Sequence, residues 1–458
     1  MKVIICGAGQ VGWQIARHLS SEKNDVTVVD HNAALVAQAS DILDVNGVVG
    51  SASYPDVLAR AGAEEADMII AATHSDEVNM VTCQIAHSVF QIHQKIARLR
   101  AKSYLEVVYS DLYRRDHMPI DVVISPEREV ATQAMHQLAS PAAFESEPFM
   151  DDKVELMGLA LDENCEVLGT PLRQLSELFS TMRATVVAIR RDEKLIVPKS
   201  SDSLQAGDAI YLCCHIDDKN RALETFGKTT KGQDRVLIIG GGNVGLNVAT
   251  DLEAGDRRIH AKIIERDRDR AELTADSLER TVVLCGDGLD TDLLEEAGVS
   301  NSDAVLVVTD DDKTNLLAAA RAKSFGVPLV VALINDPSLA GLMEPLGIDV
   351  AINPRATTVS SILRHVRHGR VRSIYSIGDA EGEMIETQVM NTSPILGMKL
   401  REIEWPDGAI LGAISKRGEI IRPLGDTVIE ENDIVLIFTL ADDVEDVAQL
   451  FQVGAEYI

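Results

Sequence analysis

Short runs of Val, Ile, Leu and Ala recur along the chain at spacings that leave room for one helix between each pair. In the first part they fall near 2–6, 25–30, 45–49, 67–72, 95–99 and 121–124. In the second they fall near 235–239, 260–265, 281–285, 303–308, 328–333 and 349–352. The runs are apolar throughout rather than alternating, as strands buried on both faces must be. Strands of this kind interleaved with helical patterns predict a parallel sheet joined by right-handed crossovers. The prediction is therefore two doubly wound, Rossmann-like α/β domains, with ligands beyond the carboxyl ends of the strands.

A different pattern follows each of these stretches. LGTPLRQL (168–175) is similar to LGMKLREI (396–403), and the segment 194–214 is similar to 419–439. Gly169 matches Gly397, Pro198 matches Pro423 and Asp208 matches Asp433. Alternating strands, one short helix and turn residues predict a small α+β module after each Rossmann-like unit. The expected order is a nucleotide-binding unit at 1–125, a connecting helix within 126–145 and a small module at 146–228. The same order then repeats at 233–353, 354–370 and 371–458. The connecting helices are read at 127–139 and 355–368, and boundaries or linkers at 141–153 and 226–234.

The two halves also share a chemical motif. KVIICGAGQVGWQIA (2–16) and RVLIIGGGNVGLNVA (235–249) each place G-x-G-x-x-G after a strand and before a helix. The glycines are Gly7, Gly9 and Gly12, then Gly240, Gly242 and Gly245. Such a turn needs one glycine for the bend, one for approach of a pyrophosphate and one for close helix packing. The helix amino terminus then offers N–H donors and a positive dipole end to phosphate. Neither turn contains a lysine, which argues against a Walker-type P-loop. An acid is expected at the end of the second strand, and Asp30 and Glu265 stand there. A carboxylate at that point accepts from ribose hydroxyls and repels a 2′-phosphate, which favours NAD(H) or an adenine nucleotide over NADP(H). Thr73-His74 and Thr309-Asp310 end the fourth strands and are expected at the rim of the same crevices. Arg98 ends the fifth strand and has no basic counterpart near Leu333; a phosphate contact and a surface ion pair are both open to it. Asp287 follows the third strand of the second unit, where it would either reach an adenine amino group or ribose or cap the next helix.

The repeat runs past the glycines. Asp56, Leu58, Ala61, Gly62, Asp67, Thr73, Asp76 and Asn79 recur 236 positions later as Asp292, Leu294, Ala297, Gly298, Asp303, Thr309, Asp312 and Asn315. Ile120, Asp121 and Pro126 recur at an offset of 228, as Ile348, Asp349 and Pro354.

Composition narrows the partners. A formal net charge of −29 and 4% aromatic residues disfavour a nucleic-acid partner. The same charge suits a basic surface, such as the Lys- and Arg-rich inner loops of a membrane protein. Six cysteines form no C-x-x-C and no metal-ligand spacing, so no metal site is assigned. Met1-Lys2 leads straight into the first strand, and no apolar run approaches the ~20 residues that span a bilayer. A membrane role would therefore be peripheral. A dehydrogenase would need a general acid or base beside the nicotinamide. The first small module has one histidine, His215, and the second has none, so no catalytic residue is assigned and an enzyme is not expected.

Taken together, GAGQVG with Asp30, GSASYPDVLARAGAEEADM (50–68), SDEVNM (75–80), ISPE (124–127), GGGNVG with Glu265-Arg266, TDDDKTN (309–315) and INPRATTVSSILRHVR (352–367) resemble one family. It is the TrkA family, the peripheral NAD-binding subunits of bacterial Trk potassium-uptake systems. The resemblance implies tandem RCK (KTN) nucleotide-binding domains, each followed by an RCK C-terminal domain. It implies NAD(H), with ATP or ADP as a second ligand class, bound at Gly7, Ala8, Gly9, Gln10, Val11, Asp30, Thr73, His74 and Arg98. In the second half the implied residues are Gly240, Gly241, Gly242, Asn243, Val244 and Glu265, beside which Asp287 and Thr309 are read from their positions. It further implies a homo-oligomeric ring, four chains being the expected number, on the inner face of the membrane against a TrkH- or TrkG-like potassium-transporting subunit.

Overall fold

The structure is a computed structural model that describes residues 1–21, 24–163, 165–228, 234–255, 258–366, 371–378 and 381–451. The first nucleotide-binding fold comprises β1 (Lys2–Cys6), α1 (Gln10–Ser21), β2 (Asp25–Asp30), α2 (Ala33–Ile42), β3 (Asn46–Val49), α3 (Pro55–Arg60), β4 (Met68–Ala71), α4 (Asp76–Ser88), β5 (Gln94–Arg98) and β6 (Val122–Ile124). The strand order is β3-β2-β1-β4-β5-β6, all parallel, with Val3 level with Val26 on one side and Met68 on the other. The order reverses beside β1, which opens a crevice at its carboxyl end. The apolar runs pack as predicted: Val3, Ile5, Val28, Ile70 and Ile96 are all sealed in one core.

Helix α5 (Pro126–Ala139) follows, and stops where Pro141 disfavours a helical Ser140. The first small module is β7 (Glu145–Phe149), β8 (Val154–Ala160), α6 (Leu172–Leu178), β9 (Ala184–Arg191), β10 (Lys194–Ile196), β11 (Ala209–His215) and α7 (Lys219–Thr225). Its antiparallel sheet runs β10-β9-β11-β8-β7. The stretch 141–153, read above as a linker, thus holds a strand, and Glu145 belongs to that strand rather than to the connecting helix. Its polar sequence hides the role. Ser146 and Phe149 point inward, and Pro148 is tolerated because β7 is the edge strand.

The second half repeats the plan. Its nucleotide-binding fold is β12 (Arg235–Ile239), α8 (Asn243–Ala254), β13 (His260–Glu265), α9 (Arg268–Asp276), β14 (Val282–Cys285), α10 (Thr291–Ala297), β15 (Ala304–Val307), α11 (Asp312–Ser324), β16 (Leu329–Leu333), β17 (Val350–Ile352) and α12 (Pro354–Val366). The parallel order is β14-β13-β12-β15-β16-β17. The second small module is β18 (Val371–Ile377), β19 (Gly382–Gln388), β20 (Ala409–Lys416), β21 (Glu419–Ile421), β22 (Ile434–Leu440) and α13 (Val444–Phe451), ordered β18-β19-β22-β20-β21. Most of the linker read at 226–234, the last residues of the second connecting helix and the final residues of the chain lie outside the described residues.

The four modules do not string out in sequence order. Residues 1–135 and 234–366 form one compact unit, and 136–233 and 367–458 form the other. In the first unit, Val359, Ile362 and Val366 of α12 enter the core of the first sheet beside Val11 and Ile15. Gln94 donates to the carbonyl of His365 at 2.6 Å, and Arg128 of α5 pairs with Asp251 of α8 at 3.1 Å. The second half therefore lends a helix to the core of the first. In the second unit, Phe149, Val187 and Tyr211 share one core with Ile377, Met384 and Phe438. Among the described residues no helix is long and apolar enough to cross a membrane.

Candidate nucleotide-binding site

The glycine turns have the conformation that the motif demands. Gly7 and Gly240 both sit at φ +112°, a region costly for any side chain. A Cβ on Gly12 would lie 1.8 Å from the Gly7 carbonyl oxygen, so α1 can start this close to β1 only without one. Around Gly9 and Gly242 nothing stands within 4 Å of where a Cβ would be, which leaves open space above the backbone. No side chain caps α8 at Gly242, so its first N–H groups point out unclaimed by a capping group.

The strand-end acids brace these turns. Asp30 accepts from the N–H of Ala8 at 2.7 Å and of Asn32 at 2.8 Å. Glu265 accepts from Gly241 and Asp267, both at 2.8 Å. The longer acid goes with the smaller turn residue: a Cβ on Gly241 would come within 2.9 Å of the Glu265 Cβ. Each carboxylate oxygen thus holds one backbone donor and keeps a further lone pair for a ribose hydroxyl.

The residues assigned to ligand binding from the sequence line one cleft. Gly7 to Val11, Asp30, Thr73, His74 and Arg98, and from the second half Gly240 to Val244, Glu265, Asp287 and Thr309, line a single continuous cleft of about 1990 Å³. The amino ends of α5 and α12 border it through Glu127 and Arg355. The two halves furnish it differently. Arg98 is half-buried; its Nε has no hydrogen-bond partner among the described residues, and burial, aided by the like charge of Arg100, lowers its pKa from the ordinary guanidinium value. Among the described residues Arg98 has no ion pair within 4.0 Å. It is a partly desolvated cation on the wall of the cleft. At the matching place in the second half stands Leu333, and the second half's arginines on the cleft wall are Arg266, Arg270 and Arg355. Asp287 accepts from the N–H of Leu289 at 2.9 Å and remains exposed, while Asp290 caps α10.

Thr73 is less available than its position suggests. Its backbone N–H goes to Asn79 Oδ1 at 2.9 Å, and its hydroxyl proton goes to the same oxygen at 2.7 Å. Thr309 repeats this with Asn315 at 3.0 and 2.6 Å. Either threonine can accept a bond from a ligand hydroxyl but has no proton left for a phosphate. Sequence reasoning also passed over Trp13 and Arg100, both on the cleft wall. Arg100 carried a signal, since it lies one residue beyond Leu99 on the side of Arg98; Trp13 carried none.

Models of the TrkA-N domain match residues 3–126 and 236–354, and models of the TrkA-C domain match 156–227 and 384–452. A Trk system potassium uptake protein TrkA from Azorhizobium caulinodans is 47% identical over 457 residues, covering 100% of both chains. The chain belongs to the TrkA family. A second TrkA, from Halomonas elongata, is 35% identical over 461 residues, again covering 100% of each. Among solved structures, the GsuK channel bound to NAD superposes with a TM-score of 0.60 at 18% identity, covering 98% of this chain and 78% of that one. The fold is therefore that of tandem RCK domains: two Rossmann-like parallel-sheet units, each followed by an antiparallel C-terminal module.

Proposed function

We propose that this chain is the nucleotide-binding regulatory subunit of a Trk-type potassium-uptake system, gating a separate potassium-transporting membrane subunit. The observation that carries the reading is the shared cleft. Two glycine turns, each braced by its strand-end acid, open into one space within a full-length member of the TrkA family. The ligands that fit are NAD(H) and ATP or ADP. The turn and helix amino terminus take a pyrophosphate, Asp30 or Glu265 takes a ribose, and Arg98 with Arg100 extends the first site toward further phosphate charge.

The chain's own residues suggest how occupancy becomes movement. A ligand bridging the turn at β1 and the rim at β4 and β5 touches the start of α5, which reaches across to α8, and the cleft also includes the start of α12, which packs on the first sheet. Occupancy thus biases the relation of the two halves by its differential affinity for their arrangements. A coupling of about 1–3 kcal/mol would alter opening several-fold to about a hundredfold. The assembly is a homo-oligomeric ring at the inner membrane face. Val81 on α4 and Leu317 on α11 occupy matching places and are both exposed, one apolar side chain on each helix. The role is regulatory rather than catalytic.

Calorimetric titration of the full chain with NADH and with ATP tests the reading. The expected result is saturable binding of both without consumption of NADH. Absence of binding up to millimolar nucleotide, or turnover of NADH, would overturn it.

A further inference from the structure

The device that shapes the rim of the first site lies behind it, in the first turn of α4. Ser75 caps this helix, its hydroxyl accepting from the N–H of Val78 at 3.2 Å. Asp76 and Asn79 follow, three residues apart and therefore on one helical face. Both are buried. Asn79 has every polar valence committed. Its Oδ1 takes the N–H and hydroxyl of Thr73, and its Nδ2 donates to the Thr73 carbonyl at 3.2 Å and the Arg98 carbonyl at 2.8 Å. Asp76 Oδ2 takes the N–H groups of Arg100 at 2.9 Å and Ala101 at 2.8 Å. Two side chains thus pin three backbone atoms between residues 98 and 101, and tie the end of β5 to the end of β4.

The second half keeps the brace and changes what it holds. Asn315 bonds Thr309 and the Leu333 carbonyl at 2.8 Å, and Asp312 takes the N–H groups of Asn335 at 3.0 Å and Asp336 at 2.8 Å. Leu333 and Asn335 stand where the first half has Arg98 and Arg100. A brace maintained in both halves fixes backbone; only in the first does that backbone carry two arginines, Arg100 paired with Glu127 at 3.0 Å and Arg98 with an Nε that has no hydrogen-bond partner among the described residues.

We infer that Asn79 and Asp76 are positioning residues of the first nucleotide site, holding Arg98 and Arg100 convergent on the phosphate chain beyond the one seated at the glycine turn. The inference rests on the proposed nucleotide binding. It makes the brace a determinant of how strongly the first site distinguishes a polyphosphate from a monophosphate. The second site, braced around Leu333, Asn335 and the acidic Asp336, lacks that discrimination at its β16 end.

The chain supplies its own reporter. It has two tryptophans, and Trp13 lies in the first site's opening helix, on the cleft wall. In a Trp405→Phe background, quenching of Trp13 is followed on adding ATP or AMP to the full chain. Asn79→Asp keeps the shape but sets a carboxylate oxygen against the Thr73 and Arg98 carbonyls. ATP affinity at the first site is expected to fall about tenfold and AMP affinity less than about threefold. In an Arg98→Ala, Arg100→Ala background the same substitution is expected to change the two ligands alike. Asn315→Asp, with an equal structural burden, should leave the ATP-to-AMP ratio at Trp13 unchanged. Asp76→Asn gives a second, milder variant should Asn79→Asp not fold. Equal losses for ATP and AMP, or a ratio that falls just as far without the arginines, would overturn the positioning role. Failure of the unmodified chain to bind either nucleotide would instead overturn the nucleotide reading itself.

Discussion

Gly9→Ala is expected to weaken nucleotide binding at the first site at least about tenfold without destabilising the chain, whereas Gly12→Ala damages both. The two glycines are three residues apart and look interchangeable in sequence. Their surroundings are opposite. A methyl at Gly9 meets nothing within 4 Å in the structure, so the fold has no objection to it. It would stand in the open space through which a pyrophosphate must approach the backbone. Losing one or two charge-assisted N–H bonds to phosphate costs about 1.5–3 kcal/mol each, a drop of at least about tenfold in affinity. A methyl at Gly12 lies 1.8 Å from the Gly7 oxygen, an overlap relieved only by moving α1 away from β1. Overpacking of this kind costs about 1–3 kcal/mol or more, so the melting temperature falls together with binding. Thermal melting and Trp13 quenching on the two variants separate the cases. A Gly9→Ala chain that binds NADH normally would remove the turn from the site.

Asp30→Ala weakens NADH and ATP binding at the first site by about 10- to 100-fold, and relaxes discrimination against NADPH. The carboxylate has two duties. It holds the turn through the Ala8 and Asn32 N–H groups and leaves lone pairs for ribose hydroxyls. Alanine frees the turn and removes the ribose acceptor. The lost ionic hydrogen bonds, at about 1.5–3 kcal/mol each, set the scale. Removing the negative charge also removes repulsion of a 2′-phosphate, so NADPH loses less affinity than NADH. Titration with both cofactors checks the sign. Unchanged NADH affinity would place the ribose elsewhere in the cleft.

The sheets were legible because their strands are buried on both faces and read as unbroken apolar runs, such as Val3–Cys6 and Ala304–Val307. The glycine turns and strand-end acids were legible because pyrophosphate binding tolerates few alternatives at those places. Strand β7 was not legible, since an edge strand with Pro148 and three polar residues has the composition of a linker. The pairing of like modules into two units was hidden as well. It depends on α12 carrying Val359, Ile362 and Val366 into the first sheet's core, and an amphipathic helix does not announce which sheet it will cover. The same limit applied at the site. Asn79 stood out as a repeated residue, but its role appears only when its amide is seen spanning Thr73 and Arg98. Nor does the sequence show that the Thr73 hydroxyl proton is already spent on Asn79, which leaves it an acceptor only.

The central claim, that nucleotide occupancy of this chain controls potassium entry, is tested most directly by rubidium uptake at limiting external potassium. Cells lacking the chain are compared with cells given back either the unmodified chain or Gly9→Ala. The account predicts that uptake is lost without the chain, is restored by it, and is not restored to the same nucleotide-responsive level by Gly9→Ala. Uptake that is unchanged by removing the chain, in cells with no redundant potassium-uptake system, would contradict it.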